Sequence, residues 1–152
     1  MPISDSEFYH GAALLRLASL FEEGIKIRRR LDIGQGCYIV DDKIGMYIKY
    51  ASQRMSPWRF TFQLAHKEAL VELKRRYHAT FVILVCKDSC LVVLDDTEVL
   101  GLLDDPSSST WWIAVEKRPR SMCTVSGSRG LLPNRVPDSD FTRIVEKLGV
   151  VL

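Results

Sequence analysis

The side chains best suited to chemistry crowd into one stretch, Gly45 to Phe62, GMYIKYASQRMSPWRFTF. Lys49 stands there on a strand-like run, and Ser52, Arg54 and Arg59 follow in a loop stiffened by Pro57. Cations beside aromatics suit single-stranded nucleic acid, because ammonium and guanidinium groups pair with phosphate oxygens while ring faces stack on bases. Trp and Arg also dominate protein–protein hot spots, so a protein partner fits the same segment. Trp58, Phe60 and Phe62 alternate with Arg59 and Thr61. A period of two puts those aromatics on the inward face of an extended piece and leaves Arg59 outside.

Basic residues also cluster at Arg28-Arg29-Arg30, Lys74-Arg75-Arg76 and Lys117-Arg118-Pro119-Arg120, with Asp95, Asp96, Asp104 and Asp105 as an acidic counter-patch. On a shared face the basic clusters would bind phosphate, with Arg28 and Arg30 among the contacts. Singly, each reads as a solvated edge or helix end. Cys37, Cys86, Cys90 and Cys123 fall in apolar, strand-like stretches, and Cys86 and Cys90 lack the Cys-x-x-Cys spacing of a zinc site, so buried free thiols are expected. No Gly-x-Ser-x-Gly elbow accompanies His10, His66 and His78. Gly127-Ser128-Arg129-Gly130 lacks the strand-to-helix setting of a phosphate loop and reads as a hairpin turn.

The elements that must position these groups follow from periodicity. Ser4 and Glu7 have capping-box spacing, and Phe8, Ala12, Leu15, Ala18 and Phe21 recur at helical intervals. Ile25 to Leu31 reads as an exposed edge strand, and Cys37–Val40 with Gly45–Ala51 as a hairpin. Gln63 to His78 reads as a second helix. Thr80–Cys86 and Cys90–Leu94 are continuous apolar runs, hence strands buried on both faces. Asp95 or Asp96 caps a short helix over Thr97–Leu103. Trp111–Glu116 and Met122–Ser126 form a last strand pair, and Ser139–Leu148 a short terminal helix. The expectation is an α/β (α+β) fold, one domain over 1–152. Its single mixed β-sheet is flanked by helices in the order α-β-β-β-α-β-β-α-β-β.

The layout helix, three-strand meander, helix, strand, over roughly residues 5 to 90, resembles the core of the PD-(D/E)XK (restriction-endonuclease-like) superfamily. That resemblance implies a divalent metal held by an Asp near the second strand and by an acidic-x-Lys on the third. Hard cations take carboxylate oxygens, and the lysine stabilises hydroxide or developing charge. Carried onto this chain, Lys49 is the motif lysine, and Asp32, Asp41 or Asp42 the first acid. Tyr47 stands where the second acid belongs, so a Mg2+ site would need Glu7 or Glu68 from a helix.

The resemblance therefore implies a restriction-endonuclease-like domain degenerate at its metal site, without a cofactor, that binds nucleic acid or a protein partner. One alternative is an active Mg2+-dependent nuclease centred on Lys49 with Asp32 or Asp41. Another is a protein-interaction or homodimerisation module built on the exposed strand or the last hairpin. The strings FYHGAALLRL, YIKYASQRMSPWRFTF and FVILVCKDSCLVVL also resemble a family of stand-alone bacterial proteins, which implies a bacterial cytoplasm.

Composition narrows the field. The chain is 47% apolar and 26% charged, near the globular average, so a core needs no staples. No apolar run approaches the roughly 18 residues of a membrane helix. The N-terminal MPISDSEFYHG is acidic and polar, unlike a signal peptide, so a cytoplasmic chain is expected. A net charge of +2 neither demands nor excludes nucleic acid.

Overall fold

The computed structural model describes residues 1–149; residues 150–152, the end of the domain expected from sequence, lie outside the described residues. Helix α1 (Asp5–Ala18) starts at Ser4, whose hydroxyl accepts from the Glu7 amide while the Glu7 carboxylate accepts from the Ser4 amide. The reciprocal capping box satisfies donors that a helix N-terminus otherwise leaves open. Strands β1 (Ile27–Arg29), β2 (Cys37–Val40) and β3 (Ile44–Ala51) form an antiparallel meander. Next come β4 (Trp58–Gln63) and α2 (Leu64–Arg76), and then β5 (Ala79–Cys86) runs parallel to β3 from Ile44↔Ala79 to Ala51↔Cys86. Strand β6 (Cys90–Asp95) returns antiparallel, completing a five-stranded mixed sheet in the order β1-β2-β3-β5-β6.

Asp95 caps α3 (Asp96–Leu103), again with a capping box to Glu98. Strands β7 (Thr110–Glu116), β8 (Thr124–Gly127) and β9 (Gly130–Leu131) follow, then α4 (Thr142–Lys147). They join β4 in a second, antiparallel sheet ordered β4-β7-β8-β9. The Gly127–Gly130 segment is the β8–β9 turn, as its sequence predicts.

The five-stranded sheet is covered on both faces, which is why β5 and β6 are apolar throughout. Tyr38, Met46, Ile48 and Ile83 pack beneath α1 and α4, while Ile39, Tyr47, Val82 and Val92 pack against α2, α3 and the second sheet. All four cysteines are free and buried. No helix among the described residues is long and apolar enough to cross a membrane.

The α/β class and the helix-flanked mixed sheet agree with expectation. The single sheet does not, because β4 leaves the first sheet and founds a second. Trp58, Phe60 and Phe62 do point inward, at 3%, 2% and 1% exposure. They need an apolar surface on the same face of a neighbouring strand, and β7 provides it through Trp58↔Val115, Phe60↔Ile113 and Phe62↔Trp111. That partner arrives some fifty residues later, too far for local pattern to announce.

Candidate functional site

Strand β2 ends at the Cys37–Tyr47 pair, but β3 runs on for four more residues. Gly36 bridges the step: its carbonyl accepts the Ile48 amide at 2.8 Å. Its φ is +85°, and a Cβ there would lie 2.5 Å from the Ile48 carbonyl oxygen. Only glycine fits both conditions.

Alternation along β3 puts Lys49 on the Tyr47 face, toward α2 and β4. The Lys49 amine donates to the Thr61 carbonyl at 2.8 Å, and β4 is an edge strand of its sheet. It also lies 3.3 Å from Nδ1 of His66, in the first turn of α2. That Nδ1 accepts the Gln63 amide at 3.0 Å, which assigns the ring proton to Nε2. The ammonium stands 4.6 Å from the Phe62 ring centre and 5.9 Å from that of Tyr47, near enough for weak cation–π attraction.

Burial pulls the Lys49 pKa down to about 8, with no opposing contribution from any carboxylate. Burial, then the Lys49 charge, lowers the His66 pKa as well. Across the site His10 of α1 is buried, with Nδ1 3.0 Å from the Tyr38 hydroxyl. Burial and the charge of Arg29 lower its pKa too. Tyr50 stacks on Tyr9 of α1 at 4.9 Å, securing the neighbouring wall. Lys49, His66, His10 and Tyr50 line a cavity of about 250 Å3 with Ser6, Gln35 and Tyr47. Its lining includes a lysine and two histidines whose pKa values all move toward the neutral form, and no carboxylate of the described residues.

The acids proposed as metal ligands lie elsewhere. Asp32 forms a bidentate pair with Arg30 at 2.8 and 2.7 Å, and those hydrogen bonds hold its carboxyl at about 2. Asp41 and Asp42 form the β2–β3 turn with φ of 50° and 57°. Asp41 accepts the Lys26 amide, and Asp42 pairs with Lys26 and Arg28. This turn precedes Ile44, and about 16 Å of strand separates Ile44 from Lys49. Glu7 is engaged in its capping box, and Glu68 is exposed on α2. Among the described residues no group of three His, Cys, Asp or Glu side chains could hold a metal ion. The residues present do not fit Mg2+.

The expected binding residues divide similarly. Arg28 is ion-paired with Asp42 at 3.4 Å, and Arg30 is held by Asp32 and the Tyr77 hydroxyl. Two members of the acidic counter-patch are engaged as well, Asp95 by Arg143 and Asp96 by Lys74. Ser52 and Arg54 are exposed in the β3–β4 loop, and Arg59 is exposed on the outer face of β4. The Arg59 guanidinium lies 4.5 Å from the ring centre of Trp112, a partly exposed residue on β7. Trp112 was legible as the outward member of the Trp111–Glu116 alternation. The roles of His66 and the Thr61 carbonyl had no local signal, because both depend on how β4 and α2 dock. Comparison with protein-family models, curated proteins and solved structures finds no match.

Proposed function

We propose that this chain is a metal-independent nucleic-acid-binding domain on a restriction-endonuclease-like core. The strand order β1-β2-β3-β5-β6, with β5 parallel to β3 after a helix, supports the core assignment. One observation carries the binding assignment: Lys49 lines a cavity to which no carboxylate of the described residues contributes. A cation in that state favours an anionic ligand, and phosphate is the anion that nucleic acid offers at every step. Arg54 and the Arg59–Trp112 pair supply further charge and a stacking face. A metal-dependent nuclease would need carboxylates around Lys49, and the acids proposed for that role are engaged elsewhere.

Fluorescence anisotropy with labelled DNA and RNA oligonucleotides, at 50 and 200 mM salt, tests the assignment. Three phosphate contacts to a single strand predict about an 18-fold loss of affinity over that range, unchanged by a chelator. A salt-independent response, or no binding at 50 mM, rejects it. Phe8 and Leu15, both exposed and seven residues apart on α1, favour protein contact as a second reading. That reading requires a solution mass that grows with concentration.

A further inference from the structure

We propose that Lys49 is an imine-forming nucleophile whose substrate is the aldehyde of a ring-opened sugar, bound in the cavity between α1 and α2. The choice of an abasic nucleic-acid position as one source of that aldehyde rests on the nucleic-acid reading. The lysine chemistry does not.

Three observations lead there. An amine attacks a carbonyl only through its free electron pair, and a lysine paired with a carboxylate keeps its proton; Lys49 has a carbonyl and an imidazole as neighbours instead. The His66 imidazole, 3.3 Å away, is a neighbour without negative charge whose Nδ1 lone pair is taken up by the Gln63 amide, so the proton that the amine sheds passes to solvent. Lys49 also lines a cavity of about 250 Å3, with Tyr47 and Tyr50 among its walls. The Lys49 pKa of about 8 is consistent with this arrangement, leaving about a quarter of the amines neutral at pH 7.5.

The step balances without metal, oxidant or reductant. The Lys49 nitrogen adds to the carbonyl carbon, a C–N bond forms, and the carbonyl π electrons move to oxygen, which takes up a proton. The proton lost from nitrogen passes to solvent. The resulting hydroxyl is protonated again and leaves as water, and a protonated imine remains. Hydrolysis reverses the sequence and frees the lysine.

The test incubates the full chain separately with a single-stranded oligonucleotide carrying one abasic site and with glycolaldehyde phosphate. Sodium cyanoborohydride reduces any imine to a stable amine, and peptide mass mapping locates it. The expected result is labelling of Lys49 at least ten-fold faster than of any other lysine, lost in Lys49→Arg. Mapping on the unaltered chain keeps the result independent of whether the variant folds. Absence of an adduct, or labelling of Lys49 no faster than of the exposed Lys43 and Lys74, overturns the proposal. If glycolaldehyde phosphate labels Lys49 while oligonucleotides neither bind nor react, the imine chemistry stands and the nucleic-acid reading falls. If oligonucleotides bind and neither aldehyde labels Lys49, this inference falls alone.

Discussion

The two ends of the β3–β5 pair each carry a cation, in opposite states. At the end where β5 begins, Arg143 of α4 donates to Asp95 at 3.0 Å, to Glu98 at 2.5 Å and to the Val93 carbonyl at 2.9 Å. Lys74 and Asp96 pair beside it at 3.5 Å, around a cavity of about 510 Å3. At the other end, Lys49 faces a carbonyl, an imidazole and two ring faces, around a cavity half that size. The larger cavity is lined by groups that neutralise one another, and its arginine fastens α4 to the capping box of α3. The smaller one holds an unanswered charge. Unbalanced charge, more than volume, is the feature on which the proposed ligand site rests.

The strongest perturbation of this contrast is Gly36→Ala. A side chain at φ +85°, pressed on the Ile48 carbonyl, should destabilise the fold by about 3 kcal/mol, read from a urea transition. Hydrogen exchange should accelerate at Ile48–Ala51 before it does in β6; equal loosening at both ends would erase the distinction.

The two cations should then respond with opposite signs. Arg143→Met leaves Asp95 and Glu98 without their partner and should lower stability by about 2 kcal/mol. Lys49→Met removes a desolvated charge with no counter-ion and should raise stability at pH 7 by about 1 to 2 kcal/mol. Loss of stability in both variants would mean that Lys49 is balanced after all.

The pH dependence has a definite direction. The folded Lys49 pKa of about 8 lies below the value of about 10.4 for an unfolded chain, so between these limits the unfolded state binds more protons. The Lys49 contribution should therefore increase stability as pH climbs from about 8 toward 10, and Lys49→Met should abolish that increase. Urea midpoints at pH 7, 8.5 and 9.5 measure it, and identical slopes in both proteins would remove the premise.

The smallest effect concerns the surface. Arg59→Ala should weaken oligonucleotide binding about four-fold and reduce the salt slope by about 0.7, whereas Arg28→Ala, already ion-paired with Asp42, should change binding by less than about two-fold. Equal losses would show that the edge of β1 shares the ligand.

Much of the scaffold was legible because its signals are local. Ser4 with Glu7, and Asp95 with Glu98, announce helix starts through groups three residues apart. The alternation of Trp58, Phe60 and Phe62 announces an inward face. The acids lie away from Lys49 for a related reason. The resemblance offered Asp32, Asp41 or Asp42 to Lys49, but Asp32 found Arg30 two residues away and Asp41 and Asp42 were taken up by the β2–β3 turn. A local partner forms with little loss of chain entropy, so it wins over a distant one.

What the sequence determined by itself is most of the elements, their faces and the presence of one lysine on β3 where no acid stands two residues before it. Tertiary structure decided the rest. Pairing of β4 with β7 made the second sheet, and docking of β4 and α2 brought the Thr61 carbonyl and His66 to the Lys49 amine. Periodicity dictates which side of an element is apolar, but not which other element meets it. The surroundings of Lys49, and hence the proton affinity of its amine, exist only once three successive elements, β3, β4 and α2, have packed together.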